Sequence, residues 1–76
     1  MEKLLEILRD IRPDVDFSAE ENLIGDGILD SMDIVNLITG IGEEFDVVIT
    51  AKDILPENFN SAGKICALIE RLREED

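Results

Sequence analysis

The sequence predicts an all-α fold: a small four-helix bundle of three longer helices and one short one, forming a single domain over residues 1–76. Three observations predict it. Apolar residues recur at three- and four-residue spacing in three separate segments, the signature of amphipathic helices. Polar capping residues stand just ahead of the later segments. No stretch shows the alternation of a strand, and Val47-Val48-Ile49 is too short to seed a sheet. Helices joined in this way pack as an antiparallel-type bundle.

The first helix carries Leu4, Leu5, Ile7, Leu8 and Ile11. Pro13 ends it, because the residue before a proline is pushed out of the α region. Residues 13–29 form a long connection with its own apolar anchors, Phe17, Leu23, Ile24, Ile28 and Leu29. Ser18 with Glu21 has the spacing of a capping box for a single turn. Gly25 and Gly27 allow tight backbone turns just ahead of the next element.

The second helix starts at Asp30 or Ser31. Asp30 is a good N-cap, and Asp33 at the third position suits the positive end of the helix dipole. Its core stripe is Ile34, Leu37, Ile38, Ile41 and Phe45. Gly40 and Gly42 inside it cost about 1 kcal/mol each relative to Ala, and close helix packing is the reason expected for them. Thr50 to Asp53 repeats the capping pattern and Pro56 follows Ile54-Leu55, which reads as one short third helix. The last helix starts near Asn60 or Ser61 with Ile65, Leu68, Ile69 and Leu72 on one face. Its end, Glu74-Glu75-Asp76, opposes the helix dipole and should fray.

Composition narrows the function. The chain is 45% apolar, enough for a modest core and more than a disordered acidic chain carries. Nineteen acidic residues against seven basic ones leave a net charge of −12, which would repel nucleic acid. There is no histidine and only one cysteine, so His-dependent triads, His-ligated metals, internal disulfides and thiolate zinc clusters are all absent. A self-contained enzyme is not expected, nor is a metal site. Asp26, Asp30 and Asp33 cluster, yet an EF-hand counted from Asp26 meets Ile28 and Leu37 where it needs ligands. The first residues are charged at short intervals and read as neither signal peptide nor membrane span, so a cytoplasmic monomer is the expectation.

The charge is unevenly spread. Pro13 to Ala51 holds ten acidic residues and no Lys or Arg, whereas residues 1–12 balance to zero. A one-sign block in the middle of a folding chain points to an interaction surface. On a helical wheel, Met32 lies nearly opposite the core stripe, beside Asn36, Thr39 and Glu43. An exposed methionine next to Ser31, at a helix N-terminus in an all-acidic block, suggests a contact surface. Ser31 taken alone reads as a capping serine. Its functional reading is as an acceptor of a phosphate-linked group, because a helix N-terminus offers free N–H groups and a positive dipole end. No base lies near it in the sequence, so a second protein would have to activate it.

Gly27-Ile28-Leu29-Asp30-Ser31-Met32, continuing through Asp33 to Leu37 and Glu43-Glu44-Phe45, closely resembles the acyl carrier protein family. The family's Asp-Ser-Leu motif appears as Asp30-Ser31-Met32, and the likeness extends over Leu23 to Asp26 and Pro56 to Leu72. The resemblance implies the acyl-carrier type of bundle, with 4′-phosphopantetheine carried on Ser31 and its thiol holding an acyl or aminoacyl thioester. It implies a phosphopantetheinyl transferase that supplies base and Mg²⁺, with Asp30 helping to position the metal. It also implies a loading ligase, and acyl transferases or synthases with basic docking surfaces, in fatty-acid, polyketide or related biosynthesis. Asp33, Asn36, Glu43 and Glu44 are assigned to recognition of such partners, and Met32 to an apolar contact beside the arm. Asn36, Thr39, Gly40 and Gly42 replace the Glu-rich face of typical fatty-acid carriers. The stretch from Pro56 to Ile65 looks more like stand-alone and D-alanyl carriers. Cys66, at the edge of the last helix's buried stripe, reads as a packed hydrophobe and not as the working thiol. An acidic adaptor with no covalent group is the rival reading. It explains the charge but not the placement of Asp30-Ser31-Met32.

Overall fold

The computed structural model describes residues 2–74, and every element among them is helical: α1 (Glu2–Ile11), α2 (Ser31–Phe45), α3 (Pro56–Phe59) and α4 (Ala62–Glu74). A single 3₁₀ turn spans Ala51–Asp53. Helix α1 packs on both α2 and α4, and α3 packs on α4. The core joins Leu4 and Leu8 of α1, Leu37 and Ile41 of α2, and Ile65, Leu68 and Ile69 of α4, with Phe59 from α3. The connection before α2 contributes Phe17, Leu23 and Leu29, while Ile24 and Ile28 pack partly buried beside them. The expected anchors therefore hold the long connection down. Residues 46–50 link α2 to the next turn without regular secondary structure, and there is no strand among the described residues.

Local chemistry sets the element boundaries. The Asp30 carboxylate accepts from the Asp33 N–H at 2.8 Å, and the Asp33 carboxylate accepts from the Asp30 N–H at 3.3 Å, a reciprocal capping box. At the other end Asp46 closes α2 in the left-handed region (φ 56°), its N–H bonded to the Gly42 carbonyl. Aspartate tolerates that conformation better than most residues. Ser61 caps α4 through its hydroxyl, which accepts from Lys64 N–H at 3.1 Å. The helical path of α4 includes Glu74, while Glu75 and Asp76, part of the segment expected to fray, lie outside the described residues.

Two local expectations are corrected. The short third helix is split: the Thr50–Asp53 pattern makes only the 3₁₀ turn, with Asp53 Oδ2 accepting from Thr50 N–H and hydroxyl. Leu55 is then extended (φ −122°, ψ 145°), as a residue before proline prefers, and Pro56 opens α3 instead of closing a helix. Ser18 and Glu21 form no capping box. The turn begins two residues earlier, at Asp16, whose backbone carbonyl accepts from Ala19 and Glu20 and whose carboxylate accepts from both Ser18 N–H and Ser18 hydroxyl. Those Ser18 hydrogen bonds hold the Asp16 carboxyl below its ordinary value of 3.8.

The two glycines of α2 separate by cause. A β-carbon on Gly40 would lie 2.9 Å from Cγ2 of Ile7, so Gly40 lets α1 approach α2. A β-carbon on Gly42 would meet only the Val47 carbonyl, at 3.4 Å. Gly40→Ala should therefore lower stability by about 1 kcal/mol, overlap outweighing the helix-propensity gain, whereas Gly42→Ala should raise it by about 0.5 kcal/mol. Urea unfolding of both variants checks the opposite signs. For Asp16, a depressed folded pKa contributes stability above pH 3.8 that is lost as pH falls through the lower folded value. Ser18→Ala should return the Asp16 titration, followed by carbon-detected NMR, toward 3.8. It should also destabilise the protein at pH 7 more than at pH 2.

Candidate functional site

Ser31 is the first residue of α2, and it is exposed. The first N–H groups of a helix have no intrahelical partner. The capping box satisfies those of Asp30 and Asp33, which leaves the N–H groups of Ser31 and Met32 at the positive end of the α2 dipole. The approach to Ser31 is a set of turns. Gly27 takes a positive φ of 71°, which a side chain would resist. A β-carbon on Gly25 would collide with the Asn22 amide, which itself donates to Asp26.

An apolar groove of about 430 Å³ opens beside Ser31. One wall is α2, through Ile34, Val35 and Ile38; the other is Ile54, Leu55 and Pro56; Ile24, Leu29 and Phe59 complete it. Its lining is apolar except at one end, where Asp30 and Ser31 stand. The groove's edge is open to solvent, with Val35 55% exposed and Ile54 and Leu55 exposed as well, and Met32, outside the lining, is 67% exposed. A hydroxyl at the mouth of such a groove can present a tethered chain either to solvent or to the groove.

The residues assigned to partner recognition are placed differently from one another. Glu43 and Asn36 are exposed on α2. Glu44 is exposed too, but its carboxylate meets the Lys3 ammonium at 2.8 Å, and this hydrogen-bonded pair raises the Lys3 pKa. Asp33 is drawn inward: its side chain is only 15% exposed, and besides the capping bond it accepts from the Arg12 guanidinium at 3.4 Å. Arg12 also lies 3.8 Å from Asp14. Cys66 is half-buried against the core and does not line the groove.

Sequence reasoning missed Val35, Leu55 and Ile54 as groove and rim residues, and Arg12 as the partner of Asp33. Val35 was findable, since it follows Ser31 by four residues and so lies beside it on a helix. Nothing local to Arg12 announces a partner twenty-one positions away.

Residues 2–69 match the protein family described as "Phosphopantetheine attachment site". The chain is 30% identical to a D-alanyl carrier protein of Lactobacillus acidophilus over 73 residues, covering 95% of this chain and 92% of that protein. It is 35% identical to a D-alanyl carrier protein of Streptococcus mutans over 60 residues, covering 79% and 76%. Over 46 residues it is 46% identical to aminoacyl carrier protein 1 of Bradyrhizobium diazoefficiens, covering 60% of this chain and 50% of that one. With a match over most of its length, a helical bundle and relatives that are carriers, the chain belongs to the acyl carrier protein family, whose domain is the site of covalent 4′-phosphopantetheine attachment.

Proposed function

We propose that Ser31 is the residue that bears the 4′-phosphopantetheine arm, and that the protein presents an acyl or aminoacyl thioester on that arm to partner enzymes. The observation that carries the reading is the position of Ser31, exposed at the N-terminus of a fifteen-residue helix and at the mouth of an apolar groove. The residues present fit the group. The unpaired N–H groups of Ser31 and Met32 favour a phosphodiester there, and the groove offers an apolar cargo a wall of Ile34, Val35 and Ile38. The arm supplies the thiol chemistry when attached. The chain's own residues hold it: Ser31 by its oxygen, the helix end by its dipole, and Met32 and Val35 by apolar contact. Asp30 is exposed, and the cap uses only its Oδ1, which leaves Oδ2 available to a divalent cation brought by a transferase.

The partners are a phosphopantetheinyl transferase, a loading ligase, and transferases or synthases with basic surfaces. Exposed Glu43 and the unpaired acids of the approach loop provide the electrostatic face, with Met32 as an apolar contact. Asp33 and Glu44 contribute after their bonds to Arg12 and Lys3 are exchanged for a partner's. For cargo, the groove favours an apolar acyl chain of fatty-acid or polyketide type. The names of the relatives favour a second reading, a D-alanyl or other aminoacyl group loaded by an adenylating ligase.

Incubation with coenzyme A, Mg²⁺ and a broad-specificity phosphopantetheinyl transferase should add one phosphopantetheinyl group by intact mass. Ser31→Ala should gain none while melting within a few degrees of the parent. No gain in folded, initially unmodified protein would favour an acidic adaptor with Ser31 as a plain helix residue. Hydroxylamine release from protein purified from its source then identifies the cargo. Steering by a one-sign surface raises the on-rate more than the affinity. Association with the transferase should therefore slow by about tenfold or more between low and physiological salt, measured by stopped flow; a flat response would refute steering.

A further inference from the structure

The segment that delivers the chain to Ser31 is anchored from outside itself. Asn60, in the two-residue joint between α3 and α4, receives three successive N–H groups of that segment. Leu23 N–H donates to the Asn60 backbone carbonyl at 2.8 Å, and the N–H groups of Ile24 and Gly25 donate to Asn60 Oδ1 at 3.0 and 3.2 Å. Leu23 is fully buried, and its own carbonyl accepts from Ile28 and Leu29 at 2.9 and 3.1 Å. Leu29 adjoins Asp30, the cap of α2. A continuous run of hydrogen bonds thus leads from Asn60 through Leu23 to the residue two positions before Ser31.

We propose that Asn60 is a positioning residue for Ser31, fixing where its hydroxyl stands relative to a modifying enzyme; this rests on Ser31 being the attachment point. The side chain matters separately from the backbone, because two of the three donors end on Oδ1. Without it, the partly buried Ile24 N–H loses its acceptor and the turn over 23–27 is free to shift. Phe59, the neighbour of Asn60 in the chain, lines the groove. The same joint therefore sets both the groove wall and the approach to the serine. A displacement of about 1 Å at a reacting group costs up to about a hundredfold in rate, while surface docking is unaffected.

Kinetics of phosphopantetheinyl transfer to the parent, Asn60→Ala and Asn60→Asp test this. Asn60→Ala should lower kcat about tenfold with KM within twofold, since the acidic face of α2 is untouched. Amide exchange at Ile24 and Gly25 should speed up in the same variant. Asn60→Asp keeps an acceptor oxygen in the same place and should restore both. If Asn60→Ala does not fold, Asn60→Ser, too short to reach both donors, should show the same loss of kcat. An unchanged kcat with faster exchange at Ile24 and Gly25 would overturn the proposal, as would an Asp variant no better than the Ala one. Should the parent itself gain no phosphopantetheinyl group, the attachment reading fails, and the Ser31 amide resonance decides the positioning. A shift in Asn60→Ala that is absent in Asn60→Asp supports the proposal, and no shift overturns it.

Discussion

The pairing of α1 with α2 is the interaction on which the remainder of the structure rests. In a chain of 76 residues and net charge −12, a small core works against self-repulsion, so helix contact has to be close. Leu4 and Leu8 are buried in the same core as Leu37 and Ile41, and Gly40 leaves room for Ile7. The two ends of α1 are each tied to α2, Lys3 to Glu44 and Arg12 to Asp33. The exposed Lys3–Glu44 pair contributes little stability, but together the two fix the relative slide of the helices. Because Ser31 opens α2, whatever sets α2 against α1 also sets the site.

Much of this was legible in the sequence because it depends on local periodicity and capping. The stripe from Ile34 to Phe45 identifies the buried face of α2, Asp30 and Asp33 form its cap, and Ser61 caps α4. The exposure of Met32 follows from the helical wheel. What was not legible depends on groups brought together from afar. The Arg12–Asp33 pair, the Asn60 tether and the groove wall at Ile54 and Leu55 are all long-range. The misread turns had a subtler cause: the capping pattern does not say which residue wins. Asp16 lies two positions before Ser18 and captured its N–H, and Pro56 served as a helix start where it resembled a stop.

The acidic block from Pro13 to Ala51 is one surface in sequence but two kinds of group in space. Asp16, Asp30 and Asp33 each accept backbone N–H groups, and so hold turns and helix ends in place. Glu43, Glu21 and Asp46 remain exposed on the outside. Sharing a segment between structural and outward acids explains how so many carboxylates fit into a short stretch with no base of its own. It also gives the two groups different sensitivities: change at an acid that holds a backbone N–H is read as lost stability, and change at an unbonded one as altered encounter.

The separation of charge by element has a further physical consequence. The basic side chains lie on α1, at Arg12 just past its end, at Lys52 and on α4, whereas the charged residues of 13–30 and of α2 are all acids. Such a molecule has an electric moment as well as a net charge. In the field of a cationic partner it experiences a torque that turns the acid-only side, and Ser31 with it, forward before the surfaces touch. The rotational search is thereby shortened, and any cationic partner is met by a molecule already facing it.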